Sequence, residues 1–239
     1  MSTRRQPLIT GQMYHIYNRG VDKRDIFSDK NDIYRFLESI KEFNREDKII
    51  SLANIRKFNQ IEALPLSERE NKKPLVEIIG YCLNPNHFHF ILRQVSDNGI
   101  SKFMHKLQGG YSYYFNVKNT RSGSLFQGKF KSQIIVNENY FNKLIGYVNK
   151  NYLIHNIPEN KNQLVFSGDF EYENKKFDII SKKEGERILE IFGGVNKFKK
   201  HCDEIVSIVR EERGKKSLLE DEDLNVIIES LPDSGKATI

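Results

Sequence analysis

The chain has 239 residues, 38% of them hydrophobic, with a net charge of +6 and an isoelectric point near 9.1. That length allows one large domain, or one ordinary domain with an appendage. The apolar content suffices for a packed core and excludes a disordered chain, and the basic balance favours an anionic partner without specifying it. Cys82 and Cys202 are the only cysteines. Two are too few for a disulfide framework or a four-cysteine zinc site, and they suit a reducing compartment. Met1 to Gly11 lacks a signal-peptide core, and no stretch approaches the roughly 20 apolar residues of a membrane span, so the expected location is the cytoplasm.

Tyr14-His15-Ile16-Tyr17-Asn18-Arg19 alternates up to Gly20 and predicts a first strand closed by a turn. Asp29 or Asn31 can cap a helix to about Asn44, whose apolar stripe is Ile33, Phe36, Leu37 and Ile40. Arg45 to Pro74 is polar and weakly periodic, an inserted connection with room for one short helix. Val76–Cys82 and His87–Val95 are β-rich runs about the turn signal Asn84-Pro85-Asn86, hence a hairpin. Ile100 to Val117 predicts a helix with Phe103, Leu107 and Tyr114 near one face. Asn119–Ser124 reads as a loop and Phe130–Val136 as a further strand. Asn137 is placed to cap a helix from Glu138 to about Tyr152.

Strand, helix, hairpin, helix, strand, helix predicts an α+β domain, an antiparallel sheet with helices packed on one face. It spans residues 1–158, with the inserted connection at about 45–75. Residues 159–239 form a mostly helical accessory region. Within it Glu171 to Lys176 is charged, Ser181–Arg213 splits into two amphipathic helices at Gly193-Gly194, and the tail from Leu231 is loose.

His87-Phe88-His89 falls in a predicted strand, so the two imidazoles share one face and Phe88 takes the other. Two imidazoles on one face can converge on a divalent cation, with coordination positions left for a phosphate oxygen and water. A bare His-x-His is more often two histidines on a solvated strand. The flanking sequence decides between these readings. Gly80-Tyr81-Cys82-Leu83-Asn84-Pro85-Asn86-His87-Phe88-His89-Phe90-Ile91-Leu92 resembles the strand-turn-strand signature of the IS200-like tyrosine transposases, especially their REP-associated group, within the histidine-hydrophobe-histidine nucleases.

The resemblance runs from about Tyr14 to Ile157. It takes in Tyr14-His15-Ile16 with Asn18-Arg19-Gly20, Gly110-Tyr111 with Tyr114-Phe115-Asn116, and Gly123 through Ser132. Asn84 stands where methionine is common. Residues 45–74 and the tail after about Pro158 lie outside the strong resemblance. It implies a ferredoxin-like fold and a metal-dependent enzyme that cleaves and rejoins single-stranded or hairpin DNA through a 5′-phosphotyrosine. The expected metal is Mg²⁺ or Mn²⁺.

Among 11 tyrosines, two arguments single out Tyr147. On the helix from Glu138 it stands one turn before Asn151, so one helix can deliver a phenol and an amide to the same metal. Gly146-Tyr147-Val148-Asn149-Lys150-Asn151 also occupies the place of the family's tyrosine helix. The resemblance makes Tyr147 the nucleophile and Asn151 the ligand that completes the His87 and His89 site. Tyr152 replaces a proline frequent at that point. Tyr111 and Tyr114, i,i+3 on one helix, read as packing residues.

Arg19, Arg121, Lys129, Lys131 and Lys150 are the basic positions expected to meet DNA. Arg121, Lys129 and Lys131 flank Gly123 and Gly128, where backbone can approach phosphate closely. His15, His105, His155 and His201 have no spacing that assigns them a partner. The alternatives are a domesticated protein that binds structured DNA or RNA without cutting it, and a phosphodiesterase that uses water. Relatives include monomers and dimers, so either state is compatible with the sequence.

Overall fold

The computed structural model describes residues 7–46, 52, 73–155, 157–216 and 228. The expected connection at 45–74 and the tail from Leu231 lie almost wholly outside these residues. Two short blocks of chain precede and follow one hairpin: β1 (Met13–Arg19), α1 (Lys30–Phe43), β2 (Val76–Asn84), β3 (His87–Gln94), α2 (Gly99–Lys118), β4 (Lys131–Ile134) and α3 (Glu138–Asn149). With a short fifth strand, β5 (Phe166–Ser167), the sheet order is β4-β1-β3-β2-β5, with every neighbouring pair antiparallel. The first four strands with α1 and α2 make the βαββαβ arrangement of a ferredoxin-like fold.

Local chemistry sets the boundaries. Asp29, not Asn31, caps α1: its carboxylate accepts from the Asp32 amide at 3.0 Å. Asn137 caps α3 by accepting from the Tyr140 amide at 2.8 Å. Each cap satisfies an amide that the helix leaves unpaired, a contribution of about 1 kcal/mol. Pro85 and Asn86 alone form the turn of the β2–β3 hairpin. That short turn sets the register, Asn84 opposite His87 and Cys82 opposite His89.

Register divides the sheet into two chemically different faces. Phe88 and Phe90 point to the first. Phe88 packs on Phe36 of α1, ring centroids 5.7 Å apart, and Phe90 approaches Phe103 of α2 at 6.5 Å. Full burial of such a ring stabilises by roughly 1.5–3 kcal/mol. Tyr111 belongs to this core, edge-on to Phe36 at 4.9 Å, with its hydroxyl donating to the Ile26 carbonyl at 2.5 Å.

The second face carries the histidines, and it is covered too. The sequence reading placed helices on one face; the structure has them on both. Gly80 of β2 presents no side chain there, and the Asn149 amide lies where a Cβ would come within 3.1 Å of it. α3 therefore seats closely on the sheet. Gly146 does the same service on the other side of α3, where a Cβ would lie 3.2 Å from the Cα of Cys202.

Cys202 belongs to the C-terminal helices, which stack on α3. After a short helix, α4 (Asn151–Ile154), the chain adds β5 (Phe166–Ser167) to the free edge of β2 and runs into α5 (Gly168–Asn174). The two predicted amphipathic helices follow as α6 (Lys182–Ile191) and α7 (Val195–Lys216). They are separated by Gly193 and Gly194 at φ +75° and +103°, a left-handed turn that glycine adopts without strain. β5 and α5 were not expected. Two residues of strand and seven of helix are too short to show a periodicity. Among the described residues no helix is long and apolar enough to cross a membrane.

Candidate metal centre and tyrosine helix

The antiparallel register brings three rows of side chains across the second face. Opposite one another lie Lys131, Tyr17, His89 and Cys82; one step toward the hairpin turn lie Arg19, His87 and Asn84; one step away lie Gln133, His15, Ile91 and Gly80. His87 and His89 thus share a face, as alternation requires, with both side chains buried. Their rings meet edge to face at 5.2 Å.

Tyr147 approaches from α3. Its ring stands edge-on to His89 at 5.7 Å and to His15 at 6.2 Å, fully buried. The helix does not continue smoothly to Asn151. It breaks at Lys150 (φ −111°, ψ 21°), and Asn151 opens α4. The break turns the Asn151 amide onto His87, Oδ1 to Nε2 at 3.0 Å, while Asn84 Nδ2 donates to the same oxygen at 2.7 Å.

His155 completes the group. The ligand atoms of His87, His89 and His155 all lie within 4.8 Å of one another, and the His155 ring is 4.5 Å from that of His87. His155 has no partner spacing among the histidines, yet the sequence carries a signal for it. Tyr147, Asn151 and His155 recur every four residues, the spacing of one helical face.

These residues fit a divalent cation. His87 is paired through Nδ1 with the Asn86 side-chain oxygen at 2.6 Å. A carboxamide oxygen only accepts, so that ring nitrogen carries the proton and Nε2 presents a lone pair toward Asn151 Oδ1. Asn84 Nδ2 donates to that nitrogen at 2.8 Å, a hydrogen bond that a cation held by Nε2 and Asn151 Oδ1 would replace. His89 Nε2 is buried with no hydrogen-bond partner among the described residues. Burial, followed by the neighbouring His15, His87 and His155 rings and the Arg19 guanidinium, holds His89 well below the usual imidazole range. It is therefore neutral, the form that binds metal.

The expected DNA-facing residues divide. Arg19 and Lys131 lie on the histidine face, with the Lys131 ammonium 6.0 Å from the centre of the Tyr17 ring. Lys129 is exposed in the loop before β4. Arg121 is tied to its own loop, donating to Asn116 Oδ1 and to the Ser124 carbonyl at 3.0 Å. Lys150 departs from expectation. It is 4% exposed, with its ammonium 2.6 Å from Asp203, 3.6 Å from Asp169 and 4.0 Å from Glu173. Three carboxylates from α5 and α7 occupy it, so it is not available to a phosphate.

Residues 64–151 match the family model described as transposase IS200 like. That span contains His87, His89, Tyr147 and Asn151. It begins inside the 45–74 segment that the motifs had set aside, and it leaves out β1 with His15 and Arg19. No curated protein matches the chain. A solved structure of a REP-associated tyrosine transposase bound to a REP hairpin is similar, with 16% identity and a TM-score of 0.47, covering 76% of this chain and 91% of that one.

Proposed function

We propose, on the premise that the chain belongs to the IS200-like transposase family over residues 64–151, that it cuts and rejoins single-stranded DNA through Tyr147. The observation that carries this reading is the convergence of the Tyr147 ring, two strand histidines and Asn151 on one buried site. A phenol has a pKa of about 10 and is a poor nucleophile at neutral pH. His87, His89, His155 and Asn151 are the residues that would hold a divalent cation. When bound, it would neutralise phosphate charge and polarise the phosphorus–oxygen bond. An imidazole-rich donor set favours Mn²⁺ over Mg²⁺.

In the proposed step the Tyr147 oxygen attacks phosphorus in line. A P–O bond to tyrosine forms and the bond to the 3′ oxygen breaks. The phenol gives up a proton and the departing 3′ oxygen takes one up. The 5′-phosphotyrosine conserves the bond energy, so a 3′-hydroxyl can reverse the step and join ends without ATP. Arg19 and Lys131 supply positive charge on the histidine face for the strand, with Lys129 exposed in the adjoining loop. The site residues are buried, so contact with a phosphodiester requires this face to open.

The test is a denaturing gel of labelled single-stranded DNA carrying a hairpin, incubated with the full chain and Mn²⁺. A covalent protein–DNA band that disappears in Tyr147→Phe supports the reading. Cleavage without a band, unchanged in Tyr147→Phe, would assign the chemistry to water. Binding without any cleavage would make the chain a non-cutting recognition protein.

A further inference from the structure

We propose that His15 is a positioning residue for the metal centre, one that sets the tautomer and ring plane of His89. This rests on the metal reading above. His15 lies on β1, one row away from His89, and its Nε2 is 2.9 Å from His89 Nδ1. Both rings are buried. The family match begins after β1 ends, so His15 falls outside it.

A neutral imidazole has one N–H. If His89 carried it on Nε2, a buried donor would face no acceptor among the described residues, a desolvation that nothing offsets. That nitrogen would also be unable to ligate. With the proton on Nδ1, His89 donates to His15 Nε2, and its own Nε2 keeps a lone pair directed into the site. His15 must then carry its proton on Nδ1. Metal-binding histidines generally donate their second N–H to an oxygen acceptor. Here a second imidazole takes that place.

The ring plane is held as well. Tyr17 stacks on His15 at 4.8 Å and 27° and on His89 at 5.7 Å and 15°, while His15 and His89 are 17° from parallel at 5.1 Å. Three nearly parallel rings from adjacent strands leave His89 little freedom to rotate. The hydrogen bond then selects which nitrogen faces the site.

Two measurements on the full chain test this. Long-range proton–nitrogen NMR of the imidazoles, on metal-free protein above pH 7, should show both His15 and His89 as Nδ1–H tautomers. An Nε2–H tautomer at His89 overturns the proposal, whatever the metal does. Mn²⁺ affinity, measured by electron paramagnetic resonance, should fall about 10- to 100-fold in His15→Phe, which keeps a ring without the acceptor. His15→Gln, which restores an acceptor oxygen, should recover most of the loss. Affinity unchanged in His15→Phe, with His89→Ala still losing it, would reduce His15 to packing and overturn the proposal. If His87→Ala and His89→Ala both bind Mn²⁺ as the parent does, the metal reading itself is wrong; the tautomer result then stands apart from it.

Discussion

Replacing Lys150 by methionine tests whether the C-terminal helices are bolted to the tyrosine helix by a buried charge. Methionine keeps much of the apolar stem and removes the ammonium. Breaking a buried ion pair from one side typically costs about 3–5 kcal/mol, because a charge is left uncompensated. The low end applies here. Asp203 and Glu173 are 51% and 29% exposed and can rehydrate, whereas Asp169 is 5% exposed. A loss near 3 kcal/mol corresponds to a melting point lower by roughly 6–12 °C for a chain of this size.

The pH dependence has a definite sign. Asp169 is raised above its ordinary value by burial, against the lowering effects of the Lys150 charge and the Tyr152 hydroxyl. Without Lys150 it rises further. A carboxyl whose folded pKa exceeds its unfolded one is destabilising when ionised, and the penalty is relieved as pH falls through the folded value. The gap between Lys150→Met and the parent should therefore be widest near pH 8 and shrink as pH falls toward 5. Adding Asp169→Asn should recover part of the loss at pH 8. Urea denaturation across that range measures it. A deficit below 1 kcal/mol, or one that stays constant with pH, would refute the buried-latch reasoning. A loss of DNA affinity with stability intact would return Lys150 to the nucleic-acid surface.

Glu184 offers an opposite pH test. Burial alone would raise it, but the hydrogen bond from Arg187 and the Arg93 charge outweigh that and hold its carboxyl below the usual glutamate range. Its stabilisation is present above the unfolded pKa and lost as pH falls through the folded one, so the melting-point difference between Glu184→Gln and the parent should vanish in strong acid. Gly168→Ala should destabilise by about 1–3 kcal/mol, since a Cβ there meets Asn149 Oδ1 at 2.3 Å and Ile180 Cδ1 at 2.8 Å; an unchanged urea midpoint would mean that the α5 junction is looser than described. Binding of single-stranded DNA should weaken with salt, and Lys131→Ala should reduce the steepness of that dependence by roughly one phosphate contact; identical slopes would move the strand away from the histidine face.

Among the described residues, the strands and helices up to Asn149 could be read from sequence because their signals are local. Alternation placed His87 and His89 on one face, the Asn84-Pro85-Asn86 turn signal paired β2 with β3, and Asn137 marked the start of the tyrosine helix. The i,i+4 relation of Tyr147 and Asn151 was also local, although Tyr147 meets His89 from α3 while Asn151 reaches His87 only after the break at Lys150. What the chain alone did not decide was anything that depends on which strands become neighbours. His15 lies 74 residues from His89, and no spacing rule joins them until β1 pairs with β3. His155 shares the four-residue spacing of Tyr147 and Asn151, but nothing in that spacing names His87 as its neighbour until the segment folds against β3. Lys150 reads as one more basic residue until three acidic side chains, 19 to 53 positions farther on, fold over it. Periodicity records a residue's own element, whereas burial and ion pairing are set by whatever packs above it, and only the tertiary structure determines that.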